Sequence, residues 1–114
     1  MINLVDESST YEIIHPSGAT FVMRHWTLAM QEETDKKCVV IDSSGRITDY
    51  KVSLERELKL KNAVSDWRGI MLDSTEALCT DENKKKLPVG VALWLVREID
   101  ERAGLRMTAE EKKN

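Results

Sequence analysis

The sequence predicts a mainly α domain with a small N-terminal β-hairpin: an α+β chain of about four helices in a single compact unit. Three observations point there. A Pro and a Gly within His15-Pro16-Ser17-Gly18 divide two β-prone runs. Apolar residues recur at steps of three and four through most of the remainder. The 114 residues, 41% hydrophobic and 32% charged, are enough to bury roughly two thirds of the unfolded surface in one modest core.

The hairpin comes first. Its strands are residues 11–14 and 19–26. In the second, Phe21, Met23 and His25 share one side and Val22, Arg24 and Trp26 the other, because strand side chains alternate. Neither side is purely polar, so one face packs on the body and the other is partly covered. Thr27 is an N-cap for a helix from Leu28, its hydroxyl accepting a first-turn N–H. Met30, Thr34, Cys38 and Ile41 make a thin stripe that carries this helix to the turn signal Asp42-Ser43-Ser44-Gly45. Residues 38–41 also read as a strand, being β-prone, but the stripe favours helix.

Ser53 is the next plausible cap. The helix predicted over 54–67 carries two apolar stripes, Leu54 with Leu58 and Leu60 with Ala63, Val64 and Trp67, and Glu57 can pair with Lys61 between them. Gly69 stops it, a use suited to a residue that tolerates positive φ. Ile70 to Leu72 reads as a short buried connector, followed by a turn. Thr80 caps a short helix whose Asp81 and Glu82 lie at its positive end. Pro88 then opens the last helix, where its missing N–H is not needed.

That last helix, 89–103, is the most informative. At about 100° per residue, Val89, Ala92, Leu93, Val96, Ile99 and Ala103 form one core stripe, which Val91 and Leu95 widen to roughly 200°. Such breadth exceeds what a helix on a monomer needs. Trp94 projects to the opposite side among Arg97, Glu98 and Glu101, with Gly90 one turn behind it. Val91, Trp94 and Leu95 are therefore the candidate contacts for a partner or a second copy, while Trp67, Gly69, Leu93 and Pro88 are candidate structural anchors. Gly104 is a left-handed cap, Leu105 can fold back toward Ile99, and 105–114 is a polar tail behind a domain over 1–104.

Catalytic and cofactor signatures are missing: there is no glycine-rich phosphate loop, HExxH, GxSxG or CxxC. The two His and two Cys have no spacing that places two metal ligands on one turn, so no metal or cofactor is expected. Clustered carboxylates such as Glu98, Asp100 and Glu101 read as solvated helix faces, and Lys84 to Lys86 as a solvated turn. A net charge of −3 offers nucleic acid no general attraction, and no apolar run is long enough to span a bilayer. The N-terminus lacks the basic and apolar regions of a signal peptide, which points to the cytoplasm.

Residues 20–102 resemble the tail assembly chaperones of long-tailed, siphovirus-type bacteriophages. The most specific part is the join Trp67, Gly69, Ile70 followed by Thr80, Glu82, Asn83 and Leu87-Pro88. The resemblance implies a non-enzymatic protein of the host bacterial cytoplasm that coats and solubilises the tape measure protein. It further implies a homo-oligomer in an open spiral, recruitment of the major tail (tube) protein, and absence from the mature virion. An alternative is a small helix-turn-helix-like nucleic-acid-binding regulator built on residues 79–94, although its second helix is too apolar and acidic for a groove.

Overall fold

A computed structural model of the chain describes residues 1–6 and 8–104. The expected Leu105 contact and the polar tail lie outside them. Strands β1 (Thr10–Ile14) and β2 (Thr20–Arg24) form the hairpin, pairing Ile13 with Phe21. At its turn Gly18 has φ +98°, and its N–H donates to the His15 carbonyl at 2.8 Å. Helix α1 (Leu28–Cys38) begins at Thr27, whose Oγ1 accepts from the Met30 N–H.

The favoured helical reading of 39–41 is overturned. Val39, Val40 and Ile41 leave the helix as β3 (Val39–Ile41) and pair with β4 (Ile47–Tyr50). Asp42 organises the turn between them by accepting from the N–H groups of Ser44 and Arg46. Three β-branched residues in succession lose side-chain freedom in a helix, and the turn gives them a partner strand instead. Tyr50 ties this hairpin back to α1 by donating to Asp35 at 2.7 Å.

Helix α2 (Val52–Ala63) starts at Lys51, with no side-chain cap, and Ser53 lies inside it. It ends four residues before the predicted Trp67. Val64–Arg68 is instead strand β5, antiparallel to β2, so the first sheet has the order β1-β2-β5. The spacing misled for a physical reason. Val64 and Trp67, three apart, both face the core because a register shift beside Val22 and Met23 adds one residue to the alternation, which imitates a helical step. Trp67 completes a cross-strand row with Phe21 and Ile13.

The expected buried connector is an exposed two-stranded hairpin, β6 (Met71–Leu72) with β7 (Thr75–Glu76). Asp73 and Ser74, both at positive φ, form its two-residue turn. Helix α3 (Asp81–Lys84) is capped by Thr80, whose Oγ1 accepts from the Asn83 N–H, and α4 (Val89–Arg102) follows Pro88. The described residues thus hold four helices and seven strands in three small sheets, 40% helix and 25% strand. This is an α+β fold and not the mainly α one expected.

The core lies between the inner face of the three-stranded sheet and helices α2 and α4. Phe21, Met23, Val64, Ala63, Leu95 and Ile99 are its fully enclosed members. Lys59, buried on α2, donates to Asp100 of α4 at 2.7 Å and to Glu55 at 3.1 Å. A buried ammonium needs such partners. The expected Glu57 and Lys61 pair gives way to Glu57 with Lys85 at 2.8 Å. Nor is Lys84 part of a solvated turn: it is buried and donates to the Lys61 carbonyl at 3.1 Å.

Candidate functional site

Helix α4 is turned roughly 90° from its predicted orientation, as a step of about 100° per residue makes clear. Leu95 and Ile99 point into the core, whereas Val89 is 74% and Leu93 41% exposed. Leu93 is therefore no core anchor, and Leu95, fully enclosed, has no surface to offer a partner. Trp94 does not stand among Arg97, Glu98 and Glu101. It packs on the hairpin, half-buried, edge-on to His15 at 4.8 Å and 6.3 Å from the Phe21 ring. A Cβ on Gly90 would meet nothing within 4 Å, so that glycine makes no seat for the indole.

The rotation follows from the hairpin. Its inner face carries two aromatic contacts, His15 and Phe21, which draw Trp94 inward and push Val89 and Leu93 outward. The result is an outer apolar stripe of Val89, Leu93 and the half-buried Ala92 and Val96, at helical steps of three and four. Beside it lies a groove of about 470 Å³ between α2, α3 and α4, with Leu60, Leu87, Val89 and Ala92 among its lining. Charges frame it: Glu57 paired with Lys85, and Asp81 3.4 Å from Lys84. The hydrogen bond from Lys85 to Glu57 raises the lysine pKa and keeps it cationic.

Such a surface can hold an amphipathic helix. Its apolar stripe matches anchors at i, i+4 and i+7, and the flanking charges select polar groups at the edges. Leu60, Leu87 and Lys85 were missed in the sequence because α2 and the α3–α4 connector meet only in the fold, although Leu87 next to Pro88 lies in the most specific part of the family resemblance. Val91 is half-buried on the other side of α4.

Trp67 is buried, edge-on to Phe21 at 6.3 Å, and its Nε1–H donates to the Ala77 carbonyl at 2.7 Å. That bond pins β5 to the segment leaving β7. Gly69, at φ +79°, passes over Ala19: a Cβ there would lie 3.4 Å from the Ala19 Cα. Pro88 is exposed and acts as the N-cap of α4, with its carbonyl accepting from the Val91 and Ala92 N–H groups.

Among the described residues no three His, Cys, Asp or Glu side chains gather as a metal site. Burial raises the Cys79 thiol pKa, the opposite of an activated nucleophile. Helix α3 has only four residues, a single turn, against the full first helix a helix-turn-helix requires. No helix among the described residues is long and apolar enough to cross a membrane. Comparison with known protein families, curated proteins and solved structures finds no match for this chain.

Proposed function

We propose that the protein is a non-enzymatic tail assembly chaperone whose client is an apolar helical stretch of a phage tape measure protein. The resemblance of residues 20–102 supplies the class, and one observation carries the reading: the exposed pair Val89 and Leu93 on α4, beside the groove of α2, α3 and α4. A long helical client presents the same apolar repeat along its length. Laid on this stripe, it buries surface that would otherwise drive its aggregation. The charged rim formed by Glu57 and Lys85 keeps the covered complex soluble and favours a client with polar flanks.

On this reading the chaperone acts as a homo-oligomer in the host bacterial cytoplasm, many copies per client. It yields the client to the major tail (tube) protein as the tube polymerises, and is absent from the mature virion. The test is co-expression with a phage tape measure protein, the proposed client. Val89→Glu with Leu93→Glu is expected to leave the client in the insoluble fraction while the chaperone keeps its own melting temperature. A double variant that keeps the client soluble as well as wild type does would place the contact elsewhere.

A further inference from the structure

The sheet of order β1-β2-β5 has two edges, and the chain treats them differently. It closes the β5 edge itself. Trp67 N–H donates to Asp66 Oδ1 at 2.8 Å, and just beyond the strand Gly69 N–H donates to Glu76 Oε1 at 3.2 Å while the Ile70 carbonyl accepts from Ala77 N–H at 2.8 Å. The β1 edge has no such closure. Its one charged side chain, Glu12, is neutralised by Arg68 at 2.9 Å, and Ile14 is 70% exposed, so neither the charges nor the bulge that usually guard a free edge is present.

The phase of the hairpin decides which groups β1 turns outward. His15 N–H donates to the Ala19 carbonyl at 2.8 Å, so the alternate residues Ile13 and Tyr11 also direct their backbone groups to β2. Thr10, Glu12 and Ile14 direct theirs away from it. Trp67 fixes the same phase from the other side: it lies opposite Phe21, whose backbone groups point to Ile13, and its own N–H faces out to Asp66. Among the described residues no other backbone group bonds to the three outward N–H groups or carbonyls of β1.

Geometry selects what can cover them. The outward groups recur at every second residue, roughly 6.6 Å apart at about 3.3 Å per residue, which is the repeat of an extended backbone. A helix, whose groups bond within itself, does not match. A second copy fits poorly as well, because two β1 strands paired antiparallel would set the two Glu12 side chains opposite each other, a like-charge contact. A basic residue suits that position instead. On the inner side, Tyr11 and Trp94 are half-buried, Trp94 lying 4.8 Å from His15 at the end of the strand, so both leave ring surface for apolar side chains.

We propose that the free edge of β1 takes an extended segment of a second protein as a fourth, antiparallel strand, with a basic residue opposite Glu12 and apolar residues facing inward beside Tyr11 and Trp94. Backbone hydrogen bonds to Thr10, Glu12 and Ile14 supply the affinity, and the alternating side chains supply the choice of partner. This surface is separate from the outer face of α4. It rests on neither the helical client nor the groove of α2, α3 and α4, and it stands if the chaperone reading fails.

The probe is the peptide Ala-Thr-Phe-Lys-Met-Arg-His, which is the β2 sequence that β1 already accepts on its other side, with a lysine placed opposite Glu12. Amide hydrogen exchange of the full chain reads its binding. Saturating peptide is expected to slow exchange at Thr10, Glu12 and Ile14. N-methylation of the peptide at Lys and Arg, whose N–H groups face β1, should weaken binding at least about tenfold, whereas N-methylation at Phe and Met, which face away, should leave it within about twofold. Glu12→Lys should weaken the lysine peptide and recover with a peptide carrying Glu in its place. The change is at an exposed site, so the fold is kept. No protection at millimolar peptide, or two methylated peptides that bind alike, overturns the proposal. Protection of the three amides without peptide that grows with protein concentration would give the edge to a second copy and overturns it too.

Discussion

Replacing Trp67 with alanine removes the indole that joins the sheet to the segment after β7. Two losses add. Emptying a buried aromatic site costs about 3–5 kcal/mol, transfer and cavity together. The Ala77 carbonyl also loses the donor that Nε1–H supplies at 2.7 Å, worth about 1 kcal/mol. Against a domain stability of ~5–15 kcal/mol, the variant should lose a third or more of its stability. Trp67→Phe keeps a ring edge-on to Phe21 and gives up only the donor and part of the volume, so it should lose about 2 kcal/mol. Urea denaturation followed by far-ultraviolet circular dichroism measures both. A Trp67→Ala loss below ~1.5 kcal/mol, or a phenylalanine variant as unstable as the alanine one, would refute the argument that this indole is a packed core member.

Two further predictions concern stability. Asp100→Ala should cost about 2 kcal/mol, because Lys59, 3% exposed, would keep Glu55 as its single partner, whereas Lys59→Met should cost less; thermal melts of the two variants decide it. Burial alone would lower the Lys59 pKa, but hydrogen bonds to Asp100 and Glu55 outweigh it and hold the value above the ordinary 10.5. The ion pair therefore contributes fully below that pH and is lost as pH rises through the folded-state value, which a melt series into alkaline pH would detect as a wild-type loss that Lys59→Met lacks. Gly69→Ala should cost about 1–2 kcal/mol, since φ is +79°, a left-handed conformation that a side chain disfavours; a variant as stable as wild type would contradict that geometry.

How much of this was legible depended on whether a signal was local. The caps at Thr27 and Thr80, the hairpin turn at Gly18 and the Pro88 restart all arise from side chains and φ preferences within a few residues, and the sequence carries them openly. Val64 to Arg68 was not legible as a strand. Its partner β2 lies some forty positions earlier, and the register shift made its apolar spacing helical. The outer stripe was half legible. The breadth of the apolar arc on α4 announced more apolar surface than one core can take. Which half would be covered depended on where the hairpin placed His15 and Phe21, a tertiary fact that turned Trp94 inward and left Val89 and Leu93 outside. The groove between α2, α3 and α4 draws on three elements and has no sequence signature of its own.

On the proposed function, the outer face of α4 holds an apolar helix of the client. Titration of the purified chain, labelled for amide resonances, with a soluble helical segment of a tape measure protein, the proposed client, puts this to the test. Saturable binding is expected, with shifts concentrated at Val89, Ala92, Leu93 and Val96 and at Leu60 and Leu87 across the groove. Leu93→Glu should abolish them without altering the melting temperature by more than about 2 °C, since exposed substitutions fall within roughly 0.5 kcal/mol. Absence of binding, or shifts that leave these residues untouched and persist in Leu93→Glu, would contradict it.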